Sequence, residues 1–182
     1  MTGRLEWLWL AIVSGWVAHA LTVGWAGPTV ALGVAGIVGA FVIGARATLP
    51  VSGLMALLSP VGVVLPALAV RDVAGDWGMP VAMFETSALI AFLAAHLMLL
   101  ASAMGAVPVD LYRTGYAPVP VALMVLAVCA YGMITGTLFL PLVVVIGQAL
   151  WMTRLGSSNW FDHVSHALLV PVVVVVLILR LV

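Results

Sequence analysis

Residues 118–151 read PVPVALMVLAVCAYGMITGTLFLPLVVVIGQALW. These 34 residues carry no formal charge. As one helix they would be about 50 Å long, at 1.5 Å per residue. The hydrocarbon core of a bilayer is about 30 Å thick and takes about 20 apolar residues to cross. Thr135-Gly136-Thr137 lies near the middle of the stretch and Pro141 follows. The reading is two short spans joined by a tight turn. One long tilted helix, or one span plus a re-entrant piece, is the alternative.

Outward from there the apolar runs continue. A first span is expected from Glu6 to Trp25, ended by Gly27-Pro28. A second runs from Thr29 to Ala45, closed by Arg46. Leu49-Pro50 opens a third that reaches Val70 and contains Pro60 and Pro66. Arg71, Asp72, Asp76 and Trp77 read as a short polar loop. A fourth span runs from Met79 to Met104, residues 105–117 form the longest loop, and the last span starts at Asn159. The expected fold is therefore all-α, a polytopic transmembrane helical bundle of seven spans, with six as the alternative, in a single integral membrane domain over 1–182.

Composition supports this frame. The chain is 65% hydrophobic and 7% charged, against about 25% charged in soluble domains. Lipid requires no polar cover, and a soluble fold this poor in charge lacks one. The net charge is zero, which gives no basis for a nucleic-acid partner. The expected partner is the lipid bilayer, with a membrane-protein partner or a second copy as a further expectation. Cys129 is the one cysteine, so an internal disulfide is excluded and a small apolar packing role is expected.

Orientation follows from the arginines. With the N terminus in the cytoplasm, Arg4, Arg46, Arg113 and Arg154 fall inside, and Arg71 and Arg180 outside. That excess favours N-in by the positive-inside rule, in a cell membrane taken as a bacterial inner membrane. Trp7, Trp9, Trp25, Trp77, Trp151 and Trp160 fall near the proposed span ends, where indole prefers the interface. Gly36, Ala40 and Gly44, four apart, suit close packing inside the bundle.

Ionisable groups inside a membrane are expensive and usually have a partner or a role. Glu85 and His96 are eleven residues apart, about 20° beyond three full helical turns. They are expected on one face of the fourth span. Asp162, His163 and His166 stand at helical neighbour spacings, i, i+4 and i, i+3, at the start of the last span. In the seven-span frame His96 and His166 fall at similar depth on the inner side. His19 and Glu85 fall toward the outer side. The metal-ligand set is then His96, His163, His166 and Asp162, with zinc or iron the expected divalent metal and haem less suited. Glu85 and Asp162 are the catalytic candidates of a metal-dependent enzyme acting on a lipid-soluble substrate. As an alternative, His19 and Glu85 relay a proton or ion, with His96 further along, in a transporter or channel subunit. A structural or assembly subunit of a membrane complex is the third reading. Asn159 with Asp162 also resembles a helix capping box.

The Asp162–His166 segment resembles the last helix of membrane zinc hydrolases of the alkaline-ceramidase type. The likeness covers these five residues only. That family spaces its histidines four apart and here they are three apart. Its early serine and histidine partners have no counterpart, so membership is not assigned.

Overall fold

A computed structural model describes residues 4–181, and among these the regular structure is entirely helical. The order is α1 (Arg4–Ala26), α2 (Pro28–Gly44), α3 (Leu49–Leu58), α4 (Val64–Asp76), α5 (Thr86–Ala103), a 3₁₀ turn (Tyr112–Tyr116), α6 (Pro118–Thr135), α7 (Phe139–Met152), α8 (Trp160–Val164) and α9 (Leu169–Leu179).

Proline decides where these helices begin. It lacks a backbone N–H, and its ring clashes with the carbonyl four residues back. It is therefore tolerated only in a first turn. Pro28 and Pro118 are first residues of their helices, Pro50 is a second, and Pro66, Pro120, Pro141 and Pro171 are thirds. The other three, Pro60, Pro80 and Pro108, lie outside the helices. Each proline thus marks a start or a gap.

Among the described residues three helices are long and apolar enough to cross a membrane: Leu5–Ala26, Thr86–Ala103 and Pro118–Thr135. α2 and α3 together make a fourth candidate, bent by 100°. The count is therefore three or four, lower than the seven expected. The prolines explain the shortfall. Pro60 and Pro66 divide the expected third span into α3 and α4, and Pro171 restarts the last one as α9. The turn expected at Thr135–Thr137 is present. Gly136 ends α6 at φ 70°, a left-handed conformation that favours glycine, and Gly132 packs directly on Pro141.

α1 and α2 form a close antiparallel hairpin. A methyl group at Gly15 would lie 2.8 Å from the Ala35 carbonyl oxygen, and one at Gly39 would lie 3.3 Å from that of Ala11. Gly36 and Gly44, by contrast, face open space. The small-residue row Gly36-Ala40-Gly44 is thus not the buried packing face expected of it. Gly36 and Ala40 line an open apolar groove of about 470 Å³ bordered by α1, α2 and α4. α3 packs through Val51 and Met55 on Leu10 and Ala11. A further cluster joins Val13, Val61, Leu65 and Leu169, with Trp9 and Phe92 against it. A third joins Val121, Val125, Val144, Trp160 and Val164. Trp160 is 6% exposed and belongs to that core, not to an interface. Trp25 and Trp77 are exposed at helix ends, as expected.

The hairpin generates a test with opposite signs. Glycine within a helix usually destabilises by about 0.5–1 kcal/mol relative to alanine. Gly33→Ala, where nothing lies within 4 Å, is expected to raise the thermal midpoint in detergent. Gly15→Ala is expected to lower it, because overpacking costs about 1–3 kcal/mol.

Candidate functional site

One group of polar residues lies where helices are interrupted. The first interruption is residues 59–63, between α3 and α4, with a cis Ser59-Pro60 bond. The second is residues 165–168, between α8 and α9. They meet backbone to backbone. Val63 N–H donates to the His163 carbonyl at 3.0 Å. A methyl group at Gly62 would lie 2.6 Å from the Ser165 carbonyl oxygen and 2.8 Å from that of Val164. From the α7 side, Gly147 leaves room for Val164.

His166 ties the crossing together. Its Nδ1 accepts from the Leu168 N–H at 3.0 Å. That requires the ring proton on Nε2, which donates to the Leu58 carbonyl at 2.7 Å. Leu58 ends α3, where carbonyls have no partner within the helix. Both ring nitrogens of His166 are therefore occupied by backbone. His163 is buried, its Nδ1 against Gly156 and its Nε2 without a hydrogen-bond partner. His96 is buried on α5 beside the Phe92 ring.

Asp162 faces elsewhere. It accepts from the Tyr112 hydroxyl, and burial followed by this bond pushes the Tyr112 phenol well above its ordinary pKa. Asn159 caps α8, its Oδ1 accepting from Phe161 N–H at 2.9 Å while its Nδ2 donates to the Tyr112 carbonyl at 3.0 Å. Tyr112 stacks on Phe161, and Gly115 packs against Asn159. The cap expected at Asn159 is present, but Asp162 serves the 105–117 loop and not the cap.

These positions correct the expected metal centre. Among the described residues no group of three or more His, Cys, Asp or Glu side chains is placed to hold a metal ion. His163 and His166 are not neighbours on one helix, since α8 ends at Val164. Imidazole nitrogens engaged by backbone, as at His166, are not available as ligands. The metal reading of His96, His163, His166 and Asp162 is therefore not supported. Glu85 is corrected as well. It precedes α5 in extended backbone, exposed, and accepts from Ser87 Oγ at 3.2 Å. Helical phase does not link it to His96, because the helix starts one residue later.

His19 is paired with a different carboxylate. It is wholly buried on α1, and its Nδ1 lies 3.6 Å from Asp76 Oδ2. One turn earlier, Trp16 Nε1 donates to Asp72 at 2.8 Å. Both aspartates lie on α4, which continues to Asp76 where a polar loop was expected. Trp16, Asp72 and Asp76 were missed as partners. The available signal was the pairing of an i, i+3 spacing with an i, i+4 spacing after Pro66. Arg71 turns away, donating to the Ala82 carbonyl and lying over the Phe84 ring at 4.4 Å and the Phe139 ring at 5.0 Å.

No protein-family model matches the chain, and no curated protein or solved structure matches it either. Its chemistry is therefore read from its own geometry.

The Tyr112–Asp162 bond generates a pH test. Replacing one partner of a hydrogen bond to a carboxylate costs about 1–3 kcal/mol. Tyr112→Phe is expected to lower the thermal midpoint at neutral pH. A phenol whose pKa is raised in the fold gives stability that is complete below its unfolded pKa of about 10 and is lost at higher pH. The gap between the parent and Tyr112→Phe should narrow as pH rises above that value in thermal melts.

Proposed function

We propose that the chain is an ion- or proton-coupled membrane transport protein, a carrier or a channel subunit, working around the crossing of its two interrupted helices. The observation that carries this reading is the contact of residues 62–63 with 163–165 through backbone. Non-helical backbone is tolerated at membrane depth only where protein buries it or where it lines a cavity. Discontinuous helices of this kind recur where transporters bind substrates and coupling ions.

Polar atoms beside the crossing support the reading. Gln148 Oε1 on α7, and Trp160 Nε1 and His163 Nε2 on α8, are buried without hydrogen-bond partners. Unsatisfied buried groups ask for an explanation, and a bound ion, water or polar substrate would supply one. His96 adds a buried imidazole on α5, beside the Phe92 ring.

The helices alternate in direction around the crossing. α1 and α2 run antiparallel. α4 runs parallel to α1, pairing Trp16 with Asp72 and His19 with Asp76. α6 and α7 form a hairpin. α9 runs antiparallel to α5, since Arg180 at its end donates to Thr86 Oγ1 and the Phe84 carbonyl at the start of α5. We place the N terminus in the cytoplasm on the arginine distribution, with lipid around the exposed leucines, isoleucines and valines.

Reconstitution tests the reading. Proteoliposomes loaded with a pH-sensitive dye should pass protons or monovalent cations down an imposed gradient faster than protein-free vesicles. Gly62→Ala, which forces the two interruptions apart, should reduce that flux at least tenfold at equal incorporation. Folded protein that gives no flux above protein-free vesicles would count against transport. Undiminished flux from folded Gly62→Ala would remove the crossing from the mechanism.

A further inference from the structure

We propose that His19 and Asp76 form a proton-binding site joining α1 to α4. The site goes beyond the transport reading and does not require it. Three observations carry it.

The first is the state of His19. Its side chain is 0% exposed, and neither ring nitrogen has a hydrogen-bond partner. A neutral imidazole always has one N–H donor and one acceptor. Leaving both buried and unused is destabilising, since neither keeps the hydrogen bonds that water would give it. A pocket built only for packing would hold an apolar side chain at lower cost.

The second is the placement of the aspartates. Asp72 and Asp76 occupy the last two turns of α4, and Asp76 is its final residue. A helix C terminus carries partial negative charge and disfavours further anions. A nearby cation offsets this. Arg71, the residue before Asp72, sends its guanidinium to Ala82 and two phenylalanine rings. Among the described residues, His19 is the one group at ion-pair distance from either aspartate. Trp16 supplies a neutral donor to Asp72. α2, the other helix packed along α1, contains no titratable or charged residue. Among the described residues Asp76 is thus the charged group at ion-pair distance from His19, with no competing cation there.

The third is access. The Asp76 side chain is 40% exposed while His19 is sealed. Asp76 therefore connects the buried ring to the outside. A proton from water binds the Asp76 carboxylate and passes to His19 Nδ1, where the new N–H bond forms. The result is an imidazolium facing a carboxylate, with a shortened Nδ1–H···Oδ2 bond across the α1–α4 interface. Deprotonation reverses the step and releases that link. Val13, at the crossing cluster, is six residues before His19 on α1, or about 9 Å along the helix. A change in the α1–α4 link is thereby placed one and a half turns from the helix interruptions.

Ring-nitrogen NMR of the full chain in lipid bilayers tests the site. With ¹⁵N-histidine labelling, the His19 signal is identified by its loss in His19→Gln. In the parent protein the His19 ring should convert from the neutral to the imidazolium form as the pH is lowered. Asp76→Asn should lower the midpoint by one pH unit or more, a tenfold or greater loss of proton affinity, as expected for an opposite charge removed from this distance. Asp76→Glu, which keeps the charge, should retain most of the affinity and serves if the asparagine variant does not fold. A His19 ring that stays neutral down to pH 4 overturns the proposal. So does a midpoint unmoved by Asp76→Asn, or an affinity lost equally in Asp76→Glu. Titration as expected in a protein that shows no flux overturns the transport reading and leaves the proton site standing.

Discussion

A peptide group in lipid has no water to bond to, so each backbone N–H and carbonyl needs a partner inside the protein. This constraint bears hardest on a chain that carries prolines through its apolar segments. Each proline removes a donor and stops the helix behind it. Here the consequences of two such stops are resolved against each other. The segment before Pro66 and the segment before Pro171 meet, and their backbone groups bond across the gap through Val63 and His163. The free carbonyl of Leu58 is taken by the ring of His166. Gly62 makes the approach possible, because a side chain there would collide with the Ser165 and Val164 carbonyls.

Much of the placement of the polar residues follows from that crossing. His166 is fixed in one tautomer by two backbone bonds, which turns a candidate ligand into a structural strut. His163 packs its ring against Gly156. Asp162 points toward the 105–117 loop and holds it through Tyr112. The polar side chains of this region thus serve separate tasks, and no ligand set of three converges among the described residues. Beside the crossing, Gln148, Trp160 and His163 keep buried polar atoms without hydrogen-bond partners, and the proposed transport reading rests in part on them. The α1–α4 interface, with its own buried histidine, lies one and a half turns further along α1.

Several of these features are legible in the sequence. The scarcity of charge and the length of the apolar runs point to a helical membrane protein. Thr135-Gly136-Thr137 announces its turn, because glycine takes the left-handed conformation there. Asn159 announces its cap. The failures have common physical causes. Glu85 was placed on a helix by hydropathy, which does not mark where a helix begins; Pro80 and the extended residues after it delay α5 until Thr86. Asp72 and Asp76 read as loop because charge suggested solvent, yet Trp16 and His19 give them partners against a helix. Helical phase joined His163 to His166 across an interruption that Pro171 imposes. Trp160 was assigned to the interface by residue type, whereas its ring fills a core. The partner of His166 is a backbone carbonyl 108 residues away, and side-chain identity carries no trace of such a contact.

The central claim is that the two interruptions meet and that His166 locks them. Solid-state NMR in lipid bilayers measures this directly, with ring-¹⁵N histidine and carbonyl-¹³C leucine in one sample. A 2.7 Å bond from Nε2 to the Leu58 oxygen places the carbonyl carbon about 3.5–4 Å from that nitrogen, given a carbonyl length of about 1.23 Å. The His166 ring signal should show dipolar dephasing matching that distance, and Leu58→Met, which removes the label at this one site, should abolish it. Absence of dephasing in the parent protein, or dephasing that survives Leu58→Met, would contradict the account.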